Sequence, residues 1–309
     1  MEAERAKRIK ELQKEKDVVI LAHYYVDGEV QEIADYVGDS FYLSKVATKV
    51  PQRNILFAGV TFMGESAKIL NPEKTVVMAD ESADCPMAHM VTPERIAEVR
   101  AEHDDLAVVC YVNSTAEIKA VSDVCVTSSN AVRVVKNIPQ KNIFFVPDNN
   151  LGRYVAEMVP EKQFVFHDGF CHVHKSILAA ELRAAKEAQP DALVLTHPEC
   201  TQDVVEMSDF VGSTSEIIDF ATESDAKKFI ICTEMGVFFE LQQKNQEKKF
   251  YSVGHRQFCP NMKKVTIDKV EAVLNQLTAD GKGVEDIVLS DEIIERAGIP
   301  LQRMLELAK

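Results

Sequence analysis

The feature that most constrains this chain is that it repeats itself three times, and a repeat of this length fixes the architecture before any single element is considered. Three segments align: VVILAHYYVDGEVQEIADYVGDS, AVVCYVNSTAEIKAVSDVCVTSS and ALVLTHPECTQDVVEMSDFVGSTS. Each opens on a short apolar run and continues into a polar triplet, His23-Tyr24-Tyr25, Tyr111-Val112-Asn113 or His197-Pro198-Glu199. A helical stretch follows, then Asp35, Asp123 or Asp209, always 12 positions after the first triplet residue, and five residues later Ser40, Ser128 or Thr214. The second half of each unit reads strand, helix, strand and then a cysteine, giving Cys85, Cys171 and Cys259 at intervals of 86 and 88 residues.

Apolar runs alternating with helical patterns predict parallel sheets covered on both faces. The expected fold is therefore α/β: three similar α/β layer domains with parallel sheets, arranged around a pseudo-threefold axis. The boundaries read from the repeat are an N-terminal helix over 1–16, repeats over 17–103, 104–189 and 190–280, and a C-terminal helical tail over 281–309, interrupted near Pro300. A chain of 309 residues can bury a sizeable core without disulfides.

Composition excludes several classes of function. With 49 acidic against 35 basic residues the net charge is −14, and there is no basic stripe with interleaved aromatics, so nucleic acid is not an expected partner. No run approaches the ~20 apolar residues of a membrane span, and the charged N-terminal segment has no apolar core of the kind a secretory signal requires. The expected location is the cytoplasm. Seven cysteines, an odd number, point to thiols or metal ligation rather than to a disulfide framework.

Equivalent residues of a repeat occupy equivalent places, so Cys85, Cys171 and Cys259 are expected to converge from the three units. Structural zinc favours four ligands and local CxxC pairs, which are absent here. Three thiolates suit a [4Fe–4S] cluster with one iron free to act on a substrate; the plainer alternative is three ordinary buried thiols. Cys110, Cys125, Cys200 and Cys232 fall outside the repeat and are expected to be core or near-site thiols. The triplet residues His23, Tyr25, Tyr111, Asn113, His197 and Glu199 carry hydrogen-bonding or proton-transferring groups at strand ends. There the repeat keeps position while residue identity diverges, as one pocket drawing different tools from each side requires. Ser40, Ser128 and Thr214 read as helix starts, which serve as plain caps or as anion sites; Ser213 and Glu216 have capping-box spacing. His89, His103, His167 and His255 have no repeated counterpart and read as structural or surface residues, with His172 and His174 merely near Cys171.

On LAHYYVDGEVQEIADYVGDS, YVNSTAEIKAVSDVCVTSSN, HPECTQDVVEMSDFVGSTS and the cysteines of SADCPMAHM, FCHVHK and QFCPNMKK, the chain resembles the quinolinate synthases, iron–sulfur enzymes of de novo NAD biosynthesis. The resemblance implies condensation of iminoaspartate with dihydroxyacetone phosphate to quinolinate, with loss of phosphate and two waters. It implies a [4Fe–4S] cluster on Cys85, Cys171 and Cys259 whose open iron is a Lewis acid. It also implies substrate binding by His23, Ser40, Tyr111, Asn113, Ser128, His197, Glu199 and Thr214, and catalysis by Tyr25 and Glu199 with His23 and Tyr111. An L-aspartate-oxidising enzyme that supplies iminoaspartate is the implied partner. The C-terminal CxxCxxC of some members is missing, since Cys259 is followed by Pro-Asn-Met. A radical enzyme of the diphthamide-synthesis type, also with one cysteine per domain, and a non-enzymatic repeat scaffold are the competing expectations.

Overall fold

A computed structural model describes residues 2–308. Its twelve strands are β1 Val18–His23, β2 Tyr36–Gly38, β3 Asn54–Ala58, β4 Thr75–Met78, β5 Leu106–Tyr111, β6 Val124–Val126, β7 Asn142–Val146, β8 Gln163–Phe166, β9 Leu193–Thr196, β10 Phe210–Val211, β11 Lys228–Cys232 and β12 Lys249–Ser252. They form three sheets of four, ordered β2-β1-β3-β4, β6-β5-β7-β8 and β10-β9-β11-β12. Every pairing is parallel. The expected α/β class with three similar layered units is what the chain adopts. The central strands are continuous apolar runs because helices cover both faces of each sheet; β1 and β3 are buried along their whole length.

The conserved spacing of the repeat's aspartate has a backbone explanation. Asp35, Asp123 and Asp209 accept the Ile20, Val108 and Val194 N–H at 2.9, 2.7 and 2.8 Å. Each aspartate also returns its own N–H to the carbonyl of that same residue at 2.9–3.0 Å. The carboxylate thus finishes the hydrogen bonding of the first strand where the short second strand gives out. It is a tie between elements and stands away from the site.

Each pair of units is in contact. His167 Nε2 lies 2.8 Å from the Met90 carbonyl, the Asn150 amide donates to the Glu199 carbonyl at 3.0 Å, and the Gln31 amide donates to the Gly236 carbonyl at 3.0 Å. The N-terminal helix Glu2–Glu15 packs on the Ile267–Gln276 helix, where Arg5 meets Glu271 at 2.9 Å.

The C-terminal segment differs from expectation. Residues 281–290 are irregular, and the helix Asp291–Leu307 runs unbroken through Pro300. An interior proline costs roughly 3 kcal/mol. Here it belongs to the buried stripe Ala297, Pro300, Leu301 and Met304, which lies against the Thr61–Leu70 and Ala116–Ala120 helices and β6, so packing outweighs the lost hydrogen bond. No helix among the described residues is long and apolar enough to cross a membrane.

Candidate active site

One cleft collects residues from the C-terminal ends of the first strands of all three sheets, the end at which parallel α/β sheets place their ligands. His23 and Tyr111 are the last residues of β1 and β5, and His197 follows β9 directly. All twelve residues singled out in the sequence line it: His23, Tyr25, Ser40, Cys85, Tyr111, Asn113, Ser128, Cys171, His197, Glu199, Thr214 and Cys259.

The side chains are tied across unit boundaries. The Tyr25 hydroxyl sits 2.8 Å from Thr214 Oγ1 and 2.8 Å from Thr233 Oγ1, joining the first unit to the third. His197 Nε2 lies 3.2 Å from Ser128 Oγ, joining the third to the second. Burial pushes the Tyr25 and Tyr111 hydroxyls well above their ordinary range, so both stay protonated at neutral pH. Burial likewise drives His23 and His197 down to about 3, leaving neutral imidazoles. Burial also works to raise the Glu199 carboxyl. The contact with His174 outweighs it and holds Glu199 ionised below the usual carboxylate range. Its second oxygen, Oε1, is buried without a hydrogen-bond partner.

Two expectations need correction. His174 is a core member of the site: it is 1% exposed, its Nδ1 lies 2.6 Å from Glu199 and 3.2 Å from Cys171 Sγ, and its Nε2 lies 2.9 Å from Thr233 Oγ1. Its spacing of three from Cys171 was the available signal, since it puts both side chains on one face of a helical turn. Ser128 is not a helix start, because the Ala131–Asn137 helix begins after Asn130 and Ser128 lies in the turn before it. Ser40 and Thr214 do open helices, capped by Asp39 and by the Ser213–Glu216 capping box.

The cysteines enter by a shared local plan. Each follows the fourth strand of its unit, and Cys85 and Cys171 stand at the N-cap of a short helical turn. The Cys171 N–H donates to Asp148 at 3.0 Å and the Cys259 N–H to Glu234 at 2.9 Å, both carboxylates being fully buried. Asp148 also caps the Asn149–Met158 helix through the Leu151 N–H, and Glu234 accepts the Gly236 N–H just before the Val237–Lys244 helix. In the first unit Val60 occupies that place, and the Cys85 N–H turns to its neighbour Asp84 at 2.7 Å. Val60, Asp148 and Glu234 stand at matching places after the third strand of each unit, yet nothing in the sequence pairs the two carboxylates with the cysteines.

The donor chemistry fits a polynuclear centre. Burial raises all three thiols, Cys85 to about 12, so a buried cation is needed to draw out their thiolates. Among the described residues, the ligand atoms that come within 4.8 Å of one another belong to Cys171, His174 and Glu199, not to the three cysteines. Thiols that share a cleft yet stand apart suit a cluster, whose irons spread the ligands, better than one ion. The other four cysteines are buried free thiols; Cys110 and Cys125 are register partners on β5 and β6, and Cys200 lies against the Cys232 carbonyl at 3.4 Å.

Comparison with known proteins agrees with this geometry. The Quinolinate synthetase A protein family matches residues 7–306. The chain belongs to that family. It is 53% identical to a quinolinate synthase of Fusobacterium nucleatum over 97% of its own length and 98% of the relative's. A quinolinate synthase of Caldicellulosiruptor saccharolyticus is 49% identical over 100% of both chains, and one of Clostridioides difficile is 46% identical over 98% and 97%. The chain is thus an enzyme with quinolinate synthase function, and the diphthamide-type alternative falls away.

Proposed function

We propose that the cleft condenses iminoaspartate with dihydroxyacetone phosphate to quinolinate, releasing phosphate and two waters. The observation that carries this reading is the convergence of Tyr25, Asn113, Glu199 and the three cysteines, one of each kind per unit, on one buried cleft. Cys85, Cys171 and Cys259 would hold a [4Fe–4S] cluster, which when bound supplies an open iron as Lewis acid.

The chain's own residues then divide the work. Glu199, kept ionised by His174, takes protons from the condensing carbon skeleton. Tyr25, protonated and bridged between Thr214 and Thr233, returns protons to departing oxygens. Ser40 and Thr214, at the positive ends of the Ser40–Ala47 and Thr214–Glu223 helices, bind carboxylate or phosphate groups, with Ser128 reaching the same anions from its turn. His23, Tyr111, Asn113 and His197 position the substrate through neutral hydrogen bonds, and the apolar wall of Val60, Phe62, Met63 and Met87 limits water around reactive imines.

We read residues 17–103, 104–189 and 190–280 as domains closed about a pseudo-threefold axis, a reading supported by the contacts between each pair of units. Small molecules are its partners, with an L-aspartate-oxidising enzyme as the source of iminoaspartate. A reducing cytoplasm suits seven free cysteines. Anaerobic incubation of the iron- and sulfide-reconstituted chain with both substrates, followed by detection of quinolinate, tests the proposal. Release of phosphate without any pyridine product would overturn it.

A further inference from the structure

Cys171, His174 and Glu199 form a constellation that the three-cysteine reading does not use. Their ligand atoms all lie within 4.8 Å of one another, with His174 Nδ1 at 3.2 Å from Cys171 Sγ and 2.6 Å from Glu199 Oε2. A tetrahedral ion bound by sulfur, imidazole and carboxylate needs those atoms roughly 3.3–3.7 Å apart, given its bond lengths. The two His174 separations fall short of that span, and the Cys171–Glu199 pair lies within 4.8 Å. The other Glu199 oxygen, Oε1, is buried without a hydrogen-bond partner. His174 Nε2 is engaged by Thr233 Oγ1 at 2.9 Å, the outer contact that orients a ligating histidine.

We propose that the cluster-free chain binds a single soft divalent cation, Zn²⁺ or its spectroscopic stand-in Co²⁺, on Cys171, His174 and Glu199. The ion exchanges the Cys171 thiol proton for a metal–sulfur bond beside the Glu199 carboxylate, and all three ligands line the cleft, which leaves a fourth position for water. The site stands on its own geometry whether or not the three cysteines hold a cluster. Its further consequence, that Zn²⁺ and the cluster exclude each other through the shared Cys171, rests on the proposed function.

The test is an anaerobic Co²⁺ titration of the chelator-stripped full chain. The expected result is a thiolate-to-cobalt charge-transfer band with the intense visible bands of a tetrahedral ion, saturating at a single equivalent. His174→Ala, Glu199→Gln and Cys171→Ala should lose the spectrum or weaken binding at least tenfold, while Cys85→Ser and Cys259→Ser keep it. Thr233→Val should weaken binding by ~10–100-fold and keep the band shape. Absence of a thiolate band in the unaltered chain, or its loss in Cys85→Ser or Cys259→Ser, would overturn the assignment. Should Cys171→Ala fail to fold, iodoacetamide labelling of the unaltered chain decides. Zn²⁺ should shield Cys171 and leave Cys85 and Cys259 as reactive as before; equal shielding of all three, or of none, refutes the site. Reconstitution with iron and sulfide is a separate measurement, so failure of the cluster reading and failure of this one are distinguishable.

Discussion

Replacing Glu199 by Gln keeps the side-chain volume and removes the carboxylate that His174 holds ionised. Turnover is expected to fall by ~10²–10⁴, the usual contribution of a general base, with iron content and visible absorbance retained. Near-normal turnover would reduce Glu199 to a structural group. The cysteines give the complementary experiment. Cys85→Ser, Cys171→Ser and Cys259→Ser are expected to lose iron, because a hydroxyl is a poor ligand where a thiolate is required. Cys110→Ser, Cys125→Ser and Cys232→Ser should keep it, at a stability cost of ~1–3 kcal/mol for a buried hydroxyl; iron analysis and thermal melts on each variant decide. Residues of both kinds were legible in the sequence because they recur at fixed intervals. Thr233 was not, and His174 showed only in its spacing of three from Cys171. They serve one corner of the cleft only, so the repeat that exposed their neighbours had no reason to mark them.

At the scale of elements, the repeat records strand ends and the ties between them. The aspartate at positions 35, 123 and 209 proved to be a backbone tie for the first strand of each sheet. Asp148 and Glu234 make a second kind of tie, each holding a helix start and a cysteine N–H with one carboxylate. Asp148→Ala strands two donors, the Leu151 and Cys171 N–H groups. Each left unpaired costs about 1–3 kcal/mol, so a clear fall in melting temperature is expected. Bound iron should also escape to a chelator faster than from the unaltered protein. A variant that melts lower yet releases iron at the normal rate would confine Asp148 to helix capping. Element boundaries were less legible where local chemistry and packing disagree. Ser128 has the sequence spacing of its counterparts, yet the Asn130 side-chain Oδ1 accepts the Thr127 N–H at 2.8 Å and the helix begins only after it. Pro300 reads as a break, yet the buried stripe around it carries the helix across.

For the molecule as a whole, the fold class and the cleft were legible because triplication multiplies a weak signal: one apolar run is ambiguous, and three at matched spacing are not. Assembly by burial also carries a pH signature. His23 has an unfolded value near 6.5 and is held at about 3 in the folded chain. Its folded value is depressed, so folding keeps it neutral, and stability is lost as pH falls below about 6.5, by roughly 1.4 kcal/mol per unit for one such group. Melts between pH 7 and 5 should show a shallower decline in His23→Asn than in the unaltered chain; identical slopes would contradict the assignment. The triplets hold a last consequence. Tyr25, Asn113 and Glu199 occupy one and the same place in the repeat, yet an acid, an amide and a carboxylate stand there. A ring of three identical subunits would have to accept every substitution at all three corners at once, and could never present a lopsided substrate with unlike neighbours. Joining the copies in one polypeptide frees each corner to vary alone. A change at Asn113 therefore alters one wall of the cleft and leaves the other two as they were.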